Sequence, residues 1–108
     1  MSPVTDELAR LRLDYRSAFV GYLSRRGEAQ LNSAYEIGRA AILTGVGLLD
    51  LVHLHNSVTL DIVRAADGAD ERLDLTEAAA AFLTEVLASF EMTQRAFLER
   101  TRAERDDA

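Results

Sequence analysis

A chain of 108 residues with 48% hydrophobic content has room for one domain built around a single modest core. Its formal charge of −6, with twelve arginines and no lysine, excludes general phosphate-backbone binding, so nucleic acid is not an expected partner. Without cysteine there is no disulfide or thiolate chemistry; without a signal-like leader or a long apolar run, the chain is expected to be soluble and cytoplasmic, with no membrane contact.

One proline, few β-branched alternations and an abundance of Ala, Leu, Arg and Glu predict an all-α fold. Leu8, Leu11, Tyr15, Ala18, Phe19 and Tyr22 recur at spacings of three and four, giving a first helix one apolar stripe. Arg25-Arg26-Gly27 ends it, with Gly27 as the expected C′ residue. A second helix is predicted from about Glu28 to Leu43, with Leu31, Ala34, Tyr35, Gly38, Ala41 and Ile42 on one side. Small residues at Ala34, Gly38 and Ala41 let another helix axis come close there.

Thr44-Gly45-Val46-Gly47 breaks the chain, and a third helix follows from Leu48 to about Ala66. The polar run from Asp67 to Asp74 separates it from the fourth. Asp74 and Glu77 have capping-box spacing, so the last helix is expected to begin at Asp74 and to run for roughly 30 residues, about 45 Å. It should turn Leu75, Ala79, Phe82, Val86, Phe90 and Phe97 inward. The expected whole is a four-helix antiparallel bundle-like domain over residues 1–100, with a charged helical tail or linker stub over 101–108.

The segment Gly38 to His55, GRAAILTGVGLLDLVHLH, ends on two histidines. At 100° per residue His53 and His55 lie about 200° apart on a helix and cannot grip one ion together. His55 falls within the stripe of Leu48, Leu51, Val52, Val58 and Ile62, which makes it a buried, hydrogen-bonded histidine. His53 shares the opposite face with Asp50, Ser57, Asp61 and Arg64 and should be solvated. Asp50 and His53 have acid–base spacing, but no serine nucleophile or phosphate-cradling glycine loop accompanies them. Neither catalysis nor a metal or other cofactor is expected.

The apolar arc of the third helix is wider than one neighbour can cover, and Leu13 and Val20 lie off the stripe of the first. These excesses predict a homodimer whose interface includes Leu13, Val20, Leu51, Leu54 and Val58.

From Tyr15 onward the chain resembles the N-terminal regulatory domain of RsbU-type phosphatases, the PPM-family activators of the bacterial general stress response, and most closely their actinobacterial members. Four pieces carry the likeness: Tyr15, Tyr22 and Leu23 of the first helix; Gly27, Glu28 and Leu31; AYEIGR followed by LVHLH; and FLTEVLASFEM in the last helix. Together they span about 80 of the 108 residues in order. The resemblance implies an all-helical, intertwined homodimer that binds a small switch kinase and passes the change to a phosphatase domain. It places the partner surface at Glu28, Asn32, Thr84 and Ala88. Thr84 and Ala88 are smaller than the apolar residues the family carries there.

The expected function is therefore a non-catalytic dimerisation and docking domain. It would bind a switch-kinase-like protein and signal through its last helix to an effector such as a PPM phosphatase. The alternative is a dimeric sensor that takes a small ligand or a proton near His55.

Overall fold

The computed structural model describes the backbone of residues 3–107 and the side chains of residues 6–107; residues 1, 2 and 108 of the expected domain and tail lie outside the described residues. The fold is four helices: α1 Pro3–Arg25, α2 Glu28–Thr44, α3 Leu48–Arg64 and α4 Ala69–Asp107. They alternate in direction. The side chain of Arg26 reaches Asp74, and Tyr15 and Phe19 meet Phe82, so α1 and α4 are antiparallel. α2 and α4 run parallel, with Glu28 and Asn32 beside Glu85, and Tyr35 and Leu43 beside Met92 and Phe97. At 39 residues α4 is about 58 Å long, and it sets the 60 Å length of the molecule.

The stripe of α1 packs inward as its spacing predicts: Leu11, Tyr15, Phe19 and Tyr22 are buried, with Leu8 and Ala18 partly covered. Phe82 of α4 sits among three α1 rings, 5.3 Å from Tyr15, 5.2 Å from Phe19 and 5.8 Å from Tyr22 between centroids. Such edge-on and tilted contacts add to the burial of large aromatic surfaces. Leu51, Leu54 and Val58 of α3 complete this core with Ala78, Ala79, Val86 and Phe90 of α4.

Small residues on α2 bring α4 closer than side chains normally allow. A Cβ on Gly38 would lie 2.2 Å from the Val86 carbonyl oxygen and 2.9 Å from both the Phe90 nitrogen and the Ser89 Cβ. Ser89, itself buried, donates its hydroxyl to the Tyr35 carbonyl across the same seam. The two backbones are thus in direct contact, pinned by one side chain-to-backbone bond.

The turns correct three expectations. α1 does not end on Gly27 in a left-handed conformation; Arg26 takes that role at φ 49°, while Gly27 is extended and caps the start of α2, its carbonyl accepting from the Gln30 and Leu31 amides. The cost of a non-glycine residue there, roughly 1–2 kcal/mol, is offset by contacts that hold Arg26. Its Nε donates to the Leu23 carbonyl, its guanidinium donates twice to the Asp74 carboxylate at 2.7 and 3.3 Å, and it lies over the Tyr22 ring. Hydrogen bonding to this arginine also holds the Asp74 carboxyl below its usual range.

The second correction is at α4, which begins at Ala69 and not at Asp74. The Glu71 carboxylate accepts from the Asp67 amide at 2.7 Å, and the Arg72 amide donates to the Gly68 carbonyl. The polar run is therefore the first turns of a helix, and Asp74 spends its carboxylate on Arg26. The third is that Leu48 and Phe97, placed inward by periodicity, are 51% and 43% exposed. Leu48 stands in the first turn of α3, and Phe97 lies where α4 leaves the bundle. The Gly45 turn follows expectation: φ is 77°, and the Gly45 and Val46 amides return to Ile42 and Ala41 in a Schellman arrangement that buries Val46.

Candidate functional site

His55 is buried in the core and His53 is exposed, as their phases on α3 predict. The His55 ring meets Tyr15 and Phe19 edge-on, at 5.7 and 6.1 Å between centroids. Its Nδ1 is hydrogen-bonded to the Tyr15 hydroxyl, and Nε2 lies 3.4 Å from the Thr59 hydroxyl. The neutral tautomer satisfies both ring nitrogens, with Tyr15 donating to Nδ1 and Nε2–H donating to Thr59. Burial lowers the His55 pKa below its ordinary value and raises that of the Tyr15 phenol. Both effects favour this neutral pair.

At the α1–α3 surface, Arg12 donates to Ser57 at 2.9 Å, and Arg12 and Arg16 approach Asp61 at 3.6 and 3.9 Å. These half-exposed ion pairs add little stability. Among the described residues, no group of three or more His, Asp or Glu is placed to hold a metal ion, and no helix is long and apolar enough to cross a membrane.

The residues expected at an interface divide into two sets. Leu51, Leu54 and Val58 are 0%, 8% and 0% exposed within the single chain, because α1 and α4 together cover the wide arc of α3. They are core residues of this chain, and the breadth of that arc does not by itself require a second protomer. Leu13 and Val20 stand 71% and 44% exposed on the outer side of α1.

Glu28, Asn32, Thr84 and Ala88 are all exposed. Glu28 and Asn32 line one open groove with Leu31, Tyr35 and Glu85. Thr84 precedes Glu85 in α4, and Ala88 lies one helical turn beyond Thr84. The Thr84 hydroxyl donates to the Ala80 carbonyl within its own helix, which leaves the outward surface to its methyl group. Tyr35, half-buried, forms the common border between this groove and a second one further along α2 and α4. Sequence reasoning missed the second groove, since it depends on which way Tyr35, Arg39 and Leu43 face once α4 is in place.

Residues 13–93 match the family described as phosphoserine phosphatase RsbU, N-terminal domain. The chain belongs to this family. The match takes in the Tyr15-to-Met92 span on which the resemblance rested, and it corresponds to the regulatory part of such phosphatases and not to their catalytic domain. No curated protein and no solved structure matches the chain.

Proposed function

We propose that this RsbU N-terminal domain is a non-catalytic homodimer that docks a switch-kinase-like protein over Glu28, Asn32, Thr84 and Ala88 and relays docking through α4 to an effector such as a PPM phosphatase. The observation that carries the reading is the exposed groove of Glu28, Leu31, Asn32, Tyr35 and Glu85, flanked by Thr84, within a chain that matches a phosphatase regulatory family over residues 13–93. Leu13 and Val20 are its proposed dimer contacts. α4 provides the path. Beyond Phe90 it has no buried residue, and residues 101–107 are exposed helix rich in charge, suited to a linker that changes order when a partner binds.

Hydrogen exchange tests the relay. In the free protein, amides after about Leu98 should exchange rapidly; adding a switch kinase from the same organism should slow them. Thr84→Arg, which puts a long cation on the docking surface, should abolish the slowing. Undiminished protection with Thr84→Arg, or a tail already protected in the free protein, would remove the basis for this mechanism.

A further inference from the structure

The second groove goes beyond the switch-kinase reading and does not depend on it. It lies between the last two turns of α2 and the part of α4 that leaves the bundle, has a volume of about 370 Å³, and is lined by Tyr35, Arg39, Leu43, Met92, Phe97 and Arg100, among others. Its apolar members are large and uncovered: Leu43 and Met92 are each 58% exposed and Phe97 43%. A protein surface seldom leaves three such side chains together without a use for them.

What surrounds them identifies the occupant. The chain carries 18 acidic against 12 basic residues, and Arg10, Arg12, Arg16, Arg26 and Arg95 each pair with one of its own carboxylates. Seven of the twelve arginines pair with no carboxylate among the described residues, and two of these, Arg39 and Arg100, line this groove, which has no acidic side chain in its lining. Arg100 sits over the Phe97 ring, 5.8 Å from its centroid, and this stacking leaves its N–H donors for a ligand. The adjoining groove carries the opposite sign, with Glu28 and Glu85. The apolar floor with its two free cations is thus a local inversion of the charge of an acidic protein.

We propose that this groove docks the apolar face of an acidic amphipathic helix from another protein, two aliphatic side chains a turn apart entering between Leu43, Met92 and Phe97 while carboxylates beside them meet Arg39 and Arg100. Tyr35 to Leu43 spans about 12 Å of helix, about two turns, which leaves room for anchors at i and i+4 and for a further one at i+7.

The test uses the full chain and two synthetic helical peptides that share Leu at i, i+4 and i+7, one flanked by Glu and the other by Lys. The Glu peptide should shift the NMR signals of Leu43, Met92 and Phe97, and its binding should weaken as salt is raised. Arg39→Glu with Arg100→Glu should weaken it by roughly tenfold or more and should make the Lys peptide the better ligand. Three results would overturn the proposal: no shift with the Glu peptide up to about 1 mM, equal binding to the charge-reversed variant, or shifts confined to the face of Leu13 and Val20. A loss of self-association in the charge-reversed variant, seen by light scattering, would assign the groove to a second copy of this chain and would also overturn it.

Discussion

Replacing Gly38 by alanine adds one methyl group where α2 and α4 touch backbone to backbone. At an unconstrained helical position the change would stabilise the protein by about 1 kcal/mol, because alanine gives up less conformational freedom on folding. At Gly38 the new carbon would lie 2.2 Å from the Val86 carbonyl oxygen and 2.9 Å from the Phe90 nitrogen. An ordinary contact needs more than 3 Å, so the helices must part by roughly 1 Å, since neither obstacle is a side chain that can rotate away. Overpacking of this kind costs about 1–3 kcal/mol. Parting the seam also strains the Ser89 hydroxyl bond to the Tyr35 carbonyl, a bond worth about 1 kcal/mol between buried groups. Less the propensity gain, Gly38→Ala should destabilise by about 2 kcal/mol, lowering Tm by roughly 8 °C. Gly21 supplies the control. It is helical, and a Cβ there meets nothing within 4 Å, so Gly21→Ala should raise stability by about 0.5–1 kcal/mol. Urea and thermal unfolding followed by circular dichroism would measure both. If Gly38→Ala equals or exceeds the parent protein, the close approach of α2 and α4 is wrong.

The buried pair makes a second prediction: Tyr15→Phe leaves His55 Nδ1 without its donor and should cost about 1–3 kcal/mol in urea unfolding, while His53→Ala should be close to neutral. A third concerns pH. Because His55 has its pKa lowered in the folded state, the unfolded chain takes up a proton first as pH falls, so the contribution is fully present above about 6.5 and stability should drop by up to about 1.4 kcal/mol per pH unit from there down to the folded pKa. His55→Leu should flatten that slope; an unchanged slope would place its origin elsewhere. A fourth addresses assembly: light scattering at micromolar concentration should give about twice the chain mass, and Leu13→Glu with Val20→Glu should halve it without loss of helicity. A monomeric parent protein would refute this.

The α1 stripe and the phase of His55 were legible because both lie within long helices whose apolar spacing is undisturbed and whose inward faces meet a single core. The contact at Gly38 was legible in kind, as a run of small residues, but the partner helix and the direction of approach were not. End effects hid the rest. Arg26 adopts a conformation suited to glycine because Asp74, distant in sequence, and Tyr22 hold it there. Glu71 closes the start of α4 through an acidic run that reads locally as a linker. The arc of α3 suggested a second protomer because periodicity records how much surface is apolar, not how many elements of the same chain converge to cover it. Of the expected docking residues, Glu28 and Asn32 fall on a groove. The neighbouring groove of Arg39 and Arg100 needed three dimensions, since its two sides are about 50 residues or more apart in sequence.

The seam at Gly38 also fixes how motion travels. Where two helices meet through long side chains, small sliding is absorbed by rotamer changes; here a carbonyl of α4 faces bare backbone of α2, and there is nothing soft between them. α4 is therefore clamped near Val86 to Phe90, and once docking orders its tail, as proposed above, the remainder would project about 25–30 Å to Asp107 as one rod. At that arm length a tilt of about 5° in α2 sweeps the far end through roughly 2–3 Å. A displacement of that size is comparable to the spacing between hydrogen-bonding positions, so in the proposed relay a small rocking of α2 near Glu28 would reach the far end of an ordered tail as a change of contacts.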